Sequence, residues 1–558
     1  MKSPSQLIIR DFTKASEIEN FRITADGRLV RRGGSRLAYT FSEPVRGVCS
    51  VAEDDGEVIY AVYGSTLCRL TESGGVFERT DLGAFPSGAG GSEVTLFRFG
   101  GRLYILADGE YFCWDGSTLS AVAGYVPLIR RYSSNTNLGE VWEPMNLLTN
   151  RVRMRFCPDG SSKKFKLYGS VASIDAVYFN GSQITSYTPI LGAASYVELN
   201  VIYATQEDDL LEVWYTLNKT SRRQKITSCP HAAVYGGDTD SRVFLYGGSD
   251  AAVIYPSEPT DGLPSGEYFP EDNTITVGDG SLSVTGAVRQ FDRLAIFTED
   301  GAFYTYPSES VTLGGVVRYS FPILPLNSDV GATKRGGAAL VENEPYALNP
   351  NGLYRFKSTS VRDERLAVRV EAPDSMGLDR EFIDGCKLYV NRLRGELWCS
   401  YGGVSAIYNA RLGVWYKFTG IDADILFSWN GEAAYASGNK ICLLDESIHT
   451  DLGVGFAAVC AGESLDLGCA FRDKTLYRIG VSVERDAGAA MRISLRSDKG
   501  GALEYAFTVG EDDGADGLPV VFSARARLGR IGHLRYRLES VSGAAAPLRI
   551  RELMLCFR

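Results

Sequence analysis

Histidine is almost missing from this chain. His231, His449 and His533 are the only three in 558 residues. They fall in different predicted elements, with no HxxxH or HxH spacing, which disfavours a histidine metal centre. Eleven cysteines are scattered with no CxxC, so a zinc site is not expected either. The count is odd, and several cysteines (Cys68, Cys113, Cys399, Cys442, Cys556) sit inside predicted strands as small apolar residues. They are read as reduced, which implies assembly in a cytoplasm. No apolar run approaches the ~18 residues of a membrane span. The opening MKSPSQLIIRDF offers only Leu7-Ile8-Ile9, too short for a signal-peptide core, so an unexported chain without membrane insertion is expected. There is no excess of positive charge: the net is −10. A protein that grips duplex DNA by neutralising phosphates would need a basic face. Long helical periodicities are nearly absent. So are the Gly-x-Ser-x-Gly elbow, the Walker loop and the dinucleotide fingerprint.

What the chain has is glycine (61), tyrosine (30) and phenylalanine (26), and a phrase said twice. Arg242 to Glu258 reads RVFLYGGSDAAVIYPSE, and 51 residues later Arg293 to Glu309 reads RLAIFTEDGAFYTYPSE. Two runs of β-branched and aromatic residues joined by a short glycine-containing turn predict a β-hairpin. Looser copies occur at Val58 to Leu70, Arg102 to Asp115, Pro345 to Lys357, Glu396 to Asn409 and Ala433 to Leu444. Hairpins recurring every 40–50 residues or so are the signature of propeller blades. The expected fold is therefore all-β: a β-propeller of about seven blades, an inserted β-sandwich and a C-terminal β-sandwich.

The turn glycines Gly64, Gly109, Gly248, Gly301, Gly352, Gly402 and Gly438 are spaced 45, 139, 53, 51, 50 and 36 apart. The 139-residue gap holds the insertion, placed at 135–228 after the polar run Ser133 to Asn137. The expected domains are an N-terminal arm with lead-in strands (1–40), a first propeller part (41–134), an inserted Ig-like sandwich (135–228), a second propeller part (229–450) and a C-terminal sandwich (451–558). In the insertion, Arg151, Arg153 and Arg155 alternate with Val152, Met154 and Phe156, so arginines line one strand face. A second basic cluster is Arg31, Arg32 and Arg36. These six arginines are the candidate partner-docking residues; the competing reading makes both clusters solvated surface. In the last domain Leu534-Arg535-Tyr536-Arg537-Leu538 alternates in the same manner. Glu511 to Gly517 is acidic but lacks EF-hand spacing, and reads as a solvated loop.

The passage Glu19-Asn20-Phe21-Arg22-Ile23 … Asp26-Gly27-Arg28-Leu29-Val30-Arg31-Arg32-Gly33-Gly34 resembles the opening of tail proteins from double-stranded DNA bacteriophages. The similar families are the nozzle or tail-tube proteins of short-tailed phages and the tail-hub proteins that plug packaged DNA. Asn146-Leu147-Leu148-Thr149 … Val177-Tyr178-Phe179-Asn180-Gly181 resembles their inserted Ig-like domains. The resemblance implies a non-enzymatic virion structural protein without cofactor or catalytic residues. It would form a homo-oligomeric ring, a hexamer by expectation, in the tail channel below portal and adaptor. Its neighbours would be head–tail adaptor or portal proteins and tail fibre or tail tip proteins. DNA would only pass through the lumen, and the protein would be made in the bacterial cytoplasm and reside in the virion tail. The alternative is a glycan-binding or glycoside-hydrolase-like propeller, since paired carboxylates can meet on such a fold.

Overall fold

The computed structural model describes residues 5–86, 92–134, 137–192, 194–203, 209–236, 241–311, 317–333, 336–357, 366–468, 472–484, 488–510, 519–541 and 546–558. The chain is all-β. Among the described residues, helix is confined to Gln224–Thr227, Arg380–Gly385 and the 3-10 turn Asp374–Met376.

Each of the seven predicted hairpins is present as the second and third strands of a four-stranded antiparallel arrangement. In chain order these are sheet 1 (45–84), sheet 2 (95–121), sheet 3 (231–276), sheet 4 (284–327), sheet 5 (338–370), sheet 6 (387–419) and sheet 7 (425–445). The two copies of the repeated phrase supply equivalent strands: Ser241–Tyr246 with Val253–Pro256, and Arg293–Thr298 with Ala302–Thr305. Near-continuous apolar runs explain why they form: in Arg293–Thr298 the five residues after Arg293 are all buried, as in a strand covered on both faces.

Sheet 7 takes its fourth strand from elsewhere. Lys440–Asp445 pairs antiparallel with Gly34–Thr40, about 400 residues upstream, in the register Lys440↔Thr40 and Leu443↔Arg36. The approach needs glycine. A Cβ on Gly34 would stand 2.1 Å from the Thr450 carbonyl oxygen, and one on Gly33 would stand 2.5 Å from that of Asp445.

The chain divides into two compact units. The first comprises Met1–Gly64, Cys68–Asp81 and Ala332–Arg558. In it the first strands of sheets 5, 6, 7 and 1 adjoin one another in that order. Phe41 stacks on Tyr63 and Phe77 meets Trp429 between sheets 7 and 1. Beyond sheet 6 the ladder continues. Ala15–Glu19 pairs with Val414–Thr419 on one side and with Val459–Gly462 on the other, which leads to Leu534–Ser540, Ala490–Ser497 and Ala502–Thr508. A second sheet holds Phe21–Ile23, Leu29–Arg31, Arg549–Phe557, Lys474–Val483 and Val520–Ile531, with Ser5–Ile9 paired to Arg549–Phe557. Both sheets enclose one core that includes Phe12, Ile18, Phe21, Leu476, Ile493 and Leu538. Residues 5–40, expected as an arm with lead-in strands, are thus strands of these sheets. Phe12, Ile18 and Phe21 are wholly buried there, and burying such side chains is worth roughly 1.5–3 kcal/mol each.

The second unit comprises Ser65–Leu67 and Leu82–Gly331. The first strands of sheets 2, 3 and 4 adjoin in order. The inserted region forms a six-stranded and a three-stranded sheet around a core of Val152, Met154, Phe156, Val177, Val213 and Tyr215. It includes Leu128–Ser133, which runs parallel to Arg151–Phe156, so the boundary placed at 135 falls inside this body. Residues 135 and 136 of the polar run lie outside the described residues.

Candidate functional site: an arginine clasp and the cleft beside it

The passage 19–34 is consumed by tertiary contacts. Asn20 adopts a left-handed backbone (φ 52°), which asparagine tolerates better than branched residues. Its side chain donates to Thr419 Oγ1 (2.9 Å) and the Ala457 carbonyl (2.8 Å), and accepts from Arg32 Nε (2.9 Å) and the Thr419 amide (3.0 Å). Arg32 has no solvent exposure. It makes a two-pronged bond to Asp451 (2.9 and 2.5 Å), donates to the Thr419 carbonyl (2.8 Å), and lies 3.8 Å from the Phe456 ring centroid. Arg31 donates to the carbonyls of Phe456 (2.5 Å) and Ala546 (3.0 Å) and lies over the same ring at 4.5 Å. Burial, and then the neighbouring Arg32 charge, pull Arg31 down to about 10. Two guanidiniums against one aromatic ring, with one bidentate carboxylate, form a desolvated cluster whose partners come from four separate chain segments.

Arg22 sits beside this clasp. It bonds to Glu396, which also accepts from Tyr416 Oη and from Trp398 Nε1 (2.9 Å). Burial alone would raise the Glu396 carboxyl, but Arg22, Tyr416 and Trp398 together hold it below its ordinary value. The pair borders an open cleft of about 500 Å³. Arg394 grips Glu432 (2.9 and 2.7 Å) and reaches Glu446 (3.0 Å) on its wall. Arg411 bonds to Glu342 (2.9 Å). The cleft therefore presents balanced charge with fixed donors and acceptors. Glu396, buried and held toward its ionised form, accepts hydrogen bonds from within the protein and is not poised to give up a proton.

The six arginines singled out from sequence are scattered. Arg31 and Arg32 are buried in the clasp. Arg36 is partly exposed and bonds to Glu72 (3.0 Å). Arg151 pairs with Asp175 (2.9 Å) and Arg155 with Glu212 (2.7 Å). Arg153 donates to Tyr125 Oη (2.8 Å) and stands 5.5 Å from the Trp214 ring centroid. The strand face does alternate as read, with Val152, Met154 and Phe156 buried opposite, but its charge is answered within the sheet. Among the described residues no three His, Cys, Asp or Glu side chains are grouped to hold a metal ion. The acidic run Glu511 to Gly517 lies outside the described residues.

Sequence reading missed Asp451, Phe456 and Glu396. Glu396 opens a strand whose next five residues are Leu-Trp-Cys-Ser-Tyr, and a glutamate leading into a buried strand is the one available signal.

No family model matches the chain, and no curated protein sequence matches it. Solved structures similar to it include an exo-β-1,3-galactanase from Phanerochaete chrysosporium (7% identity, 94% of this chain and 100% of that one, TM-score 0.24). Another is the extracellular domain of a hybrid two-component system from B. thetaiotaomicron (10% identity, 91% and 80%, TM-score 0.25). A third is YjhT (11% identity, 76% and 96%, TM-score 0.25). The expectation that the chain is not an enzyme finds no support here and is withdrawn: a glycoside hydrolase stands among these neighbours. At such TM-scores the likeness assigns the chain no particular reaction.

Proposed function

We propose that this chain is a structural protein of a tailed-phage virion, and that its seven four-stranded sheets are the blades of one β-propeller carrying two β-sandwiches. The blade reading is supported by the repeated hairpins and by first strands that adjoin in order within each unit. Gly34–Thr40, completing sheet 7, would close the circle between the ends of the propeller chain. The single observation that carries the functional reading is the clasp. The very residues that resemble the opening of phage tail proteins, Asn20, Arg22, Arg31 and Arg32, are the ones locked into tertiary bonds. The resemblance then marks a device that ties the two ends of the chain together, which suits a part that bears load. Subunits would assemble by cyclic symmetry into a ring in the tail channel, contacting adaptor or portal proteins above and fibre or tip proteins below. A net charge of −10 suits a lumen wall along which DNA slides without phosphate–guanidinium sticking. Immunogold labelling with antibodies raised against 451–558 tests this on purified particles. Label at the tail is expected; particles that never label, or lack the chain by mass spectrometry, would refute it.

A second reading has its own observation: the cleft holding Glu396, Glu432 and Glu446 beside Arg22, Arg394 and Arg411. Carboxylates and guanidiniums at fixed positions are what sugar hydroxyls bind, so a glycan-binding or glycan-cleaving propeller fits this feature. None of the solved structures named above is a phage protein, and the comparisons lean toward this reading rather than the first. A glycan array together with a hydrolase panel that includes β-1,3-galactan would decide it. Binding or release lost in Glu432→Gln would establish this reading, and silence across both panels would remove it.

A further inference from the structure

Residues 452–558 differ in charge from the rest of the chain. They carry 15 Lys and Arg against 13 Asp and Glu, while the whole chain has a net charge of −10. Part of this surplus converges on one place. A groove of about 780 Å³ on the outer face of Lys474–Val483 and Val520–Ile531 is lined by Arg478, Arg525, Arg527 and Arg558, with Tyr477 and Ser523 between them and no carboxylate side chain among the described residues of its wall. Arg478 stands directly opposite Arg525 in the strand register. Like charges facing each other across a ladder destabilise it. Yet Arg478 has only the Ser523 hydroxyl (2.8 Å), and no ion pair with a carboxylate is made by Arg478, Arg525 or Arg527 among the described residues. Arg151 is answered by Asp175, Arg155 by Glu212 and Arg394 by Glu432, while Arg496 and Arg535, which also face each other in register, have the Asp498 carboxylate in the wall of their groove.

We propose that this groove docks a carboxylate-rich segment of a partner protein. The proposal stands apart from the propeller reading. Planar guanidiniums pair two-pronged with carboxylates, and an anion between Arg478 and Arg525 would turn their repulsion into a bridge. Val520–Ile531 is the last strand of its sheet path. Alternating Ser523, Arg525 and Arg527 are exposed along it, about 7 Å apart per two residues, which matches the side-chain repeat of an extended peptide. A long nucleic acid fits less well. Duplex binding at useful strength neutralises some 6–10 phosphates over an extended basic face, and this chain offers one short groove on an acidic body.

The test is a fluorescence anisotropy titration of the full chain with a labelled twelve-residue peptide of alternating Glu and Ala. A twelve-nucleotide single-stranded DNA and inorganic phosphate serve as separate arms. Saturable peptide binding is expected, weakened about tenfold or more in Arg525→Glu/Arg527→Glu and by a similar sense in Arg525→Gln/Arg527→Gln. The control Arg496→Glu/Arg535→Glu, on the other sheet of the same domain, should change it less than about twofold, and circular dichroism melts check that each variant folds. Three results overturn the proposal: no saturation by peptide, DNA or phosphate binding as tightly as the peptide, or equal loss in the control variant.

Discussion

Two strands of this protein spell nearly the same thing and mean different things. Arg151–Phe156 and Val520–Ile531 both alternate arginine with apolar residues; the first buries Val152, Met154 and Phe156, and the second buries Ala526 and Leu528 on either side of Arg527. In the first, Glu212 lies opposite Arg155 in register and Asp175 reaches Arg151, so the charge is spent inside the sheet. In the second, Arg525 faces another arginine and its charge is left for something outside. The clasp is the third outcome of the same residue type: Arg31 and Arg32 are buried altogether. Alternating arginines on a strand tell which of its faces is polar. Which residue sits across the ladder decides whether that face is stable alone, holds the fold together, or waits for a partner.

The comparison can be broken at four points, from large effect to small. Asp451→Ala would strand the Arg32 guanidinium without its carboxylate in a buried site. The expected loss is about 3–5 kcal/mol in urea unfolding; a loss under about 1 kcal/mol would mean Arg32 can reach water and the clasp is not a buried device.

Glu396→Gln comes next, through pH. The folded carboxyl is held below its ordinary value near 4.5, so its stabilisation is present above that pH and disappears as pH falls through the lowered folded value. The wild type should therefore lose stability on acidification more steeply than the variant, read from melting temperature between pH 6 and pH 3. Parallel curves would show that the Arg22 pair contributes nothing.

Glu212→Gln should convert the compensated face into an uncompensated one. About 1 kcal/mol or less of stability is expected to go, because Arg153 and Arg155 are partly exposed. The same change should create new binding of the Glu-Ala peptide on the insertion, and its absence would mean that partner placement is not what separates the two strands. The smallest effect is Arg525→Ser, expected to be neutral or stabilising by a few tenths of a kcal/mol, since it removes a cross-strand repulsion. A clear destabilisation in a thermal melt would show that Arg525 already has a favourable partner.

The seven hairpins were legible because everything that makes them is local: β-branched and aromatic runs, two-fold alternation and a turn residue that accepts positive φ. The strands that complete the architecture were not. Gly34–Thr40 joins sheet 7 and Ala15–Glu19 bridges sheet 6 to Val459–Gly462, and no local pattern encodes a partner 400 residues away. For that reason 1–40 read as an arm with lead-in strands. The candidate site was legible only as residue types. Arg31-Arg32-Gly33-Gly34 looks like a solvated basic turn until Asp451 and the Phe456 ring cover it.

By itself, then, the sequence determined the strand periodicity, the all-β class, the hairpin count and which face of each strand is apolar, because these follow from neighbours within a few residues. Tertiary structure alone decided that residues 5–40 are framework, that Glu396 is held toward its ionised form in a buried place, and that one arginine strand is satisfied while another is not. Those outcomes depend on which distant side chain stands within hydrogen-bonding reach, and at a few ångströms in a low dielectric that single neighbour outweighs any local preference.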